Sequence, residues 1–330
     1  MIKQDLLIEP YWSAKDLGKA IPDSPHAVSV ALPRWQDVID YEEQKESCIQ
    51  SLRAIYPRFG LNPLVAEIAK RANELFGFNK GKGWPYPNKE IARQAQLFCQ
   101  KTNNGEAIIR EVLGLQCLIT DQEASDSAKA FWQHTGFGAS SRLAAIALNK
   151  EVAPSIDEGE KARITLRQRL SEMYGCYADS IHLYPSGMAA LTAGLMAIRE
   201  IRPINPFLQI GFPYVDVLKL PQKIFGGSRL IQTENPEELA IALDRQKPAA
   251  VIVELPSNPM MQCVDLPTVS KLAHERGIPL IADDTIGSPL NIDAVPYADI
   301  IFSSLTKSFA GEGDILAGSI LISPESPWKK

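Results

Sequence analysis

The second half of this sequence predicts an α/β fold in which a mostly parallel sheet is flanked by helices. Three observations carry that prediction. Short apolar runs, such as 249–255 with Glu254 as its one polar residue, alternate with amphipathic segments such as 266–275. Continuous apolar strands of this kind belong to sheets covered on both faces. Residues able to do chemistry then stand where the apolar runs end, the place where ligands of such sheets bind.

Taken in order, residues 1–160 read as a helical and irregular N-terminal region, and residues 161–330 as the α/β domain. The first region has helical periodicity at 64–76 and 91–98, with breaks at Pro33, Pro57, Gly60, Pro63 and the run from Gly81 to Pro87. Residues 152–160, with Pro154, Asp157, Glu158 and Gly159, read as a surface loop and a boundary. From there the pattern predicts a helix at 162–174 and a strand at 181–183. A helix from Gly187 to about Glu200 follows, with Ser186 as its N-cap. A strand at 208–212, a helix at 237–245 and a strand at 249–255 come next. The helix at 266–275 has Gly277 beyond it as a C-terminal stop. Strands at 278–282, 300–302 and 320–322 complete the set. Internal repeats and low-complexity tracts are absent.

Composition narrows the function classes. The 330 residues are 45% hydrophobic and carry a net charge of −5, so the chain can build a full core and is a poor match for a broad nucleic-acid surface. Five cysteines are scattered without a Cys-x-x-Cys pair and the four histidines are dispersed, which argues against a zinc site and fits a reducing cytoplasm. The first dozen residues lack the apolar core of a signal peptide. No apolar run reaches the ~18 residues of a membrane helix. The expectation is a cytoplasmic protein.

The candidate site lies at the predicted junctions. Lys307, in Ser303-Ser304-Leu305-Thr306-Lys307-Ser308, follows an apolar run and suits an amine that forms an imine with a carbonyl cofactor. Asp283 ends the preceding strand, and a buried carboxylate needs a partner such as a pyridine nitrogen; an Asx turn is the alternative. Gly187 and Met188 open a helix whose N–H groups and dipole favour a phosphate, although an ordinary capped helix has the same residues. Ser304 and Thr306 offer hydroxyls to the same phosphate. Asn258 either bonds a cofactor oxygen or shapes its turn, and Tyr214 either stacks on a flat ring or packs.

The order Ser186-Gly187-Met188, Tyr214, Glu254-Leu255-Pro256-Ser257-Asn258-Pro259, Asp283-Asp284-Thr285 and Ser304-Leu305-Thr306-Lys307 resembles the Cys/Met-metabolism family of pyridoxal phosphate enzymes, the transsulfuration group. The resemblance implies the aspartate-aminotransferase-like fold type I and pyridoxal 5′-phosphate (PLP) as cofactor. Lys307 would then bind the cofactor covalently, Asp283 would pair with its ring nitrogen, and Gly187, Met188, Ser304 and Thr306 would hold its phosphate. Tyr214 would stack on the ring and assist proton transfer, with Asn258 near the phenolic oxygen. Residues 55–63 are similar to the family's Tyr-x-Arg-x-x-Asn-Pro motif, which implies that Tyr56 and Arg58 reach the phosphate of a neighbouring subunit in a homodimer or homotetramer. A long insertion separates that motif from Ser186, and Arg142 of Ser140-Ser141-Arg142 is a rival phosphate arginine.

Further stretches are similar to the long-insert, fungal-type cystathionine γ-synthases, among them His26-Ala27-Val28-Ser29-Val30 and Trp132-Gln133-His134. This implies γ-replacement of an O-acyl-homoserine by cysteine to give cystathionine. A β- or γ-lyase, a sulfhydrylase, or a catalytically silent PLP-binding fragment are the alternatives. The family's small C-terminal domain, source of the arginine for the substrate carboxylate, is expected to be absent from a chain ending at Lys330.

Overall fold

The computed structural model describes residues 5–233 and 235–329 and comprises two compact units. One takes in Met1–Gln133, Phe137–Ala153 and Ala310–Leu316; the other takes in His134–Gly136, Pro154–Phe309 and Ala317–Lys330. Among the described residues, no helix is long and apolar enough to cross a membrane.

The first unit opens with a two-stranded ribbon, β1 (Ala20–Ile21) and β2 (Ser29–Val30), and two short helices, α1 (Trp35–Glu42) and α2 (Glu46–Ser51). Then come α3 (Pro63–Phe76), β3 (Lys82–Tyr86), α4 (Lys89–Thr102), β4 (Ala107–Val112), β5 (Leu115–Thr120), α5 (Gln122–Thr135) and α6 (Ser141–Ala147). Asn62 caps α3 by accepting from Leu64 N–H at 2.9 Å, and Pro63 fills the first turn where no N–H is needed. Val65, Ile68 and Ala72 of α3 pack with Leu115, Cys117 and Ile119 of β5.

The strands β3, β5 and β4 form an antiparallel sheet in that order, where the sequence pattern suggests only helix and irregular chain. Its signal is hidden for two reasons. Leu113 and Gly114, both at positive φ, make the two-residue hairpin turn between β4 and β5, a turn seldom built on leucine. Strand β3 carries Gly83 and Pro85, which read as breakers; at a sheet edge proline is tolerated. The glycine is required there, because a Cβ on Gly83 would lie 2.4 Å from the Ala69 carbonyl oxygen of α3.

The second unit contains α7 (Ile156–Tyr174), β6 (Ile181–Tyr184), α8 (Gly187–Ile201), β7 (Phe207–Ile210), α9 (Val215–Ile224), β8 (Ser228–Ile231) and α10 (Pro236–Gln246). It continues with β9 (Val251–Glu254), α11 (Leu266–His274), β10 (Leu280–Asp283), the single turn α12 (Ser288–Asn291), β11 (Ile300–Ser303) and β12 (Gly318–Ile322). Helix α7 starts inside the segment expected to be a loop. Ser155 and Glu158 form a reciprocal capping box, so the polar run there is a helix start.

Seven strands form one sheet in the order β6-β12-β11-β10-β9-β7-β8. All neighbours are parallel except those of β12, which is antiparallel to both β11 and β6. This is the mostly parallel, helix-flanked sheet expected from the sequence.

Side chains alternate across it. Val251, Val253, Leu280 and Ala282 join one apolar layer with Leu170 of α7, Leu243 of α10 and Val269 of α11. Ile252, Ile281 and Phe302 join the other with Leu191 and Leu195 of α8 and Leu220 of α9. Because the strand period is two, the next residue on the second face of β9 is Glu254 and on β10 is Asp283. Both acids are thereby directed to the α8–α9 side at the carboxyl ends of their strands.

Candidate active site

Strand pairing brings the two acids together. Asp283 stands opposite Glu254 on one side and Phe302 on the other. Asp283 is 4% exposed, and burial pushes its carboxyl up to about 7, with the negative charge of Asp284 adding to the effect. Two groups pull the other way: Thr285, whose N–H donates to Asp283 Oδ1 at 3.0 Å, and the positive charge of Lys307. Thr285 also accepts from Ser304 N–H at 2.9 Å, so one threonine pins the end of β10 to the chain leaving β11.

Beyond that pin, the chain turns and carries Lys307. Strand β11 is buried through Ser303, but Lys307 itself is exposed, because the turn after Ser304 lifts it past the strand end. Its N–H donates to the Ser304 carbonyl at 3.1 Å. An amine that must form a covalent bond needs this access, and its charge still acts on Asp283.

The phosphate candidates also converge. Ser186 Oγ accepts from Ala189 N–H at 3.0 Å and caps α8, which leaves the Gly187 and Met188 N–H groups in the first turn without intrahelical acceptors. Ser304 packs onto that turn: a Cβ on Gly187 would lie 2.7 Å from Ser304 Cβ and 3.1 Å from its hydroxyl oxygen. Glycine is what lets the hydroxyl and the helix start share one small cradle. Gly136, which sequence reasoning left aside, lies over the same turn at φ +67°, its carbonyl accepting from Ser186 Oγ at 3.2 Å. A Cβ there would come within 2.8 Å of Ala189 N. Thr306 differs from expectation. It is buried and its hydroxyl exchanges bonds with the backbone of Ala317 at 3.1 and 3.3 Å, fastening the loop to the start of β12.

Tyr214 is the N-cap of α9 and is half-buried. Its N–H donates to Glu254 Oε2 at 2.6 Å, and its hydroxyl donates to Asp216 Oδ2 at 2.9 Å. Asp216 in turn lies 3.3 Å from His134 Nδ1, and both side chains are buried. Asn258 is exposed, and its backbone, after that of Tyr214, draws the Glu254 carboxyl pKa down against the effect of burial. Glu254, Asp216 and His134 were not singled out by the sequence reading. The signal available for Glu254 was its position as the lone polar residue of an apolar strand.

Asp284 has a different place from Asp283. One residue further along, it faces the opposite layer and accepts from the Tyr174 hydroxyl at 2.7 Å. Burial pushes its carboxyl up to about 6.

Tyr56, Arg58 and Arg142 belong to the first unit. Arg58 stacks 4.5 Å from the Phe59 ring centroid and lies 3.9 Å from Glu42. The segment also carries three residues between Arg58 and Asn62, one more than the motif it resembles. Arg142 donates to the Asp314 carbonyl at 2.7 Å, within the segment that follows the Lys307 loop. Each arginine is thus engaged within its own unit.

The donor set fits a phosphorylated pyridine aldehyde on the structure's own terms. A buried carboxyl, held up by desolvation, would gain from a cationic ring nitrogen; a cradle that a Cβ would fill offers N–H and O–H donors to an anion; and an exposed amine follows from the adjacent strand.

Comparison with known proteins gives the family and its cofactor. The family described as Cys/Met metabolism PLP-dependent enzyme matches residues 158–330, and the fungal trans-sulfuration enzyme N-terminal domain matches residues 64–140. The L-2-amino-4-chloropent-4-enoate dechlorinase/desaturase of Streptantibioticus cattleyicolor is 28% identical over 94% of this chain and 65% of its own. The cystathionine gamma-synthase of Saccharomyces cerevisiae is 23% identical over 94% of this chain and 72% of its own. The chain therefore spans about two thirds of the length of these relatives. Among solved structures, the O-acetylhomoserine sulfhydrylase of Wolinella succinogenes covers 49% of this chain and 47% of its own, at 26% identity and a TM-score of 0.42.

Proposed function

The chain belongs to the Cys/Met metabolism PLP-dependent enzyme family, and on that premise we propose that it takes part in γ-replacement of an O-acyl-homoserine by cysteine, yielding cystathionine. The observation that supports this reading is the convergence of Asp283, the Gly187–Ser304 cradle and the Lys307 turn at the ends of β10 and β11.

In this proposal Lys307 holds the cofactor's aldehyde carbon, Asp283 its ring nitrogen, and Gly187, Met188 and Ser304 its phosphate. Thr306 contributes by bracing the loop. Tyr214 covers the ring and Asn258 stands by its phenolic oxygen. When bound, PLP withdraws electrons from the substrate's α-carbon. Asp283 sustains that withdrawal by keeping the ring nitrogen protonated. Lys307 Nζ would be the group that carries protons to and from the substrate's Cα and Cβ one at a time, while the acyl group leaves Cγ as its carboxylate and the thiol adds there with loss of its proton to solvent. Tyr214 orients the ring during both transfers. Tyr56 and Arg58 of a neighbouring copy complete the phosphate site in a homo-oligomer, in the cytoplasm.

Elimination without replacement is the second reading. The relative named for dechlorination and desaturation is more similar to this chain, at 28% identity, than the yeast synthase at 23%. The test is direct. The purified chain, given PLP, should turn yellow, and borohydride should fix the cofactor to Lys307 but not to a Lys307→Ala variant. With acyl-homoserine and cysteine it should release cystathionine. Trapping on another lysine would remove Lys307 from its role, and a keto acid plus ammonia as the products would replace γ-replacement by elimination.

A further inference from the structure

Glu254 is the residue the proposed chemistry leaves unused, and it is placed to matter. It ends β9 beside Asp283, is 7% exposed, and faces the α8–α9 side. Its carboxyl accepts from the N–H of Tyr214 at 2.6 Å, and the backbone of Asn258 faces it closely enough to draw its pKa down. Those two residues come from different loops: Tyr214 follows β7, and Asn258 follows β9. They are also the two assigned to the face and the edge of the ring. One buried carboxyl therefore bonds the Tyr214 turn and faces the Asn258 turn, from the strand next to the one carrying the ring-nitrogen acid.

We propose that Glu254 is a positioning residue, whose carboxyl sets the Tyr214 and Asn258 turns in register with Asp283 before any ring is bound. This rests on the functional reading above for what the ring is.

The choice of an acid has a physical reason. Strand ends can be capped by serine or glutamine at far lower desolvation cost, and a second acid beside Asp283 raises that cost for both. A carboxyl group carries two oxygens with acceptor capacity, one more than a serine hydroxyl or a glutamine amide offers. An acceptor that must serve two separate chain segments needs both oxygens. The backbone of Tyr214, and not its side chain, is what the carboxyl holds, while the Tyr214 hydroxyl donates to Asp216.

Two variants test this in the full chain. Glu254→Ala removes both acceptors, and Glu254→Gln keeps one oxygen. In cofactor-free protein, hydrogen exchange at the Tyr214 and Asn258 amides should accelerate at least tenfold in Glu254→Ala, relative to amides of β9 and β10. Glu254→Gln should show a smaller change at one or both. In cofactor-loaded protein, the visible circular dichroism per mole of borohydride-trapped cofactor should fall severalfold in Glu254→Ala and recover in part in Glu254→Gln. Unchanged exchange at both amides, or unchanged dichroism per trapped cofactor, overturns the proposal. Should Glu254→Ala fail to fold, Glu254→Gln carries the test by the same two readouts, and wild-type values in both then refute it. Failure of the wild type to trap cofactor strikes the functional reading instead, and leaves the amide measurement to decide on Glu254.

Discussion

Replacing Asp283 by asparagine should make the cofactor-free protein more stable at pH 8 while impairing its capacity for PLP. The wild-type carboxyl is pushed from 3.8 to about 7 by burial, which at about 1.4 kcal/mol per pH unit is on the order of 4 kcal/mol. The direction follows from proton counting. Between pH 4 and 7 the folded state keeps this proton and the unfolded chain has lost it, so stability is full below the unfolded value and declines as pH rises through the folded one. Glu254, pushed up to about 8 chiefly by burial and then by the charge of Asp283, adds to the same trend, and the two titrate as a coupled pair. Asparagine retains the shape and removes the charge. Urea unfolding of cofactor-free wild type and Asp283→Asn at pH 5 and pH 8 should give a gain of about 1–2 kcal/mol for the variant at the lower pH and of about 4 kcal/mol at the higher. In the loaded protein the order should reverse, because the cationic ring nitrogen then loses its counter-charge. A difference that does not change with pH would refute the claim that Asp283 is an uncompensated buried acid awaiting a cation.

Other substitutions separate the remaining parts of the site. Gly187→Ala, whose Cβ would meet Ser304, should lower stability by about 1–3 kcal/mol in thermal or urea unfolding and weaken cofactor binding in a PLP titration. Wild-type affinity would show that the cradle does not hold the phosphate. Tyr174→Phe should cost about 1–3 kcal/mol by leaving Asp284 without its donor, yet leave the absorbance of bound cofactor unaltered, because Asp284 faces the other layer. A shifted spectrum would mean that the two faces communicate. Mixing Arg58→Ala chains with Lys307→Ala chains should recover a fraction of trapped cofactor if sites are shared between copies. The same mixture made with Arg142→Ala discriminates between the two arginines.

The parts that the sequence discloses, and those it conceals, divide along a physical line. Strands β9, β10 and β11 were legible because they are covered on both faces and so read as unbroken apolar runs. Helix α8 was legible through Ser186 and Gly187, since a cap and an anion-binding turn need those residue types in that order. Strand β8 escaped because its residues are half-buried or exposed, with Arg229 and Leu230 both open to solvent. Helix α9 escaped because Pro221 stands inside it. The antiparallel sheet of the first unit hid behind Gly83 and Pro85, whose meaning as close packing and edge position exists only in three dimensions.

The same division explains the site. Residues that would touch the cofactor directly are constrained in type and spacing, so Lys307, Asp283 and Gly187 stand out from the chain itself. Glu254, Asp216 and His134 act at one remove, and their pairings join positions that are 40 or more residues apart or come from separate elements. Nothing in local sequence distinguishes them from ordinary buried polar groups; strand register does. A one-residue slip of β9 against β10 would send Glu254 toward the layer of Leu243 and Val269, leaving the Tyr214 amide without its acceptor. The register of two apolar strands, set by the packing of Val251, Ile252, Val253 and Leu280 on opposite faces, is therefore what specifies the polar geometry at their ends.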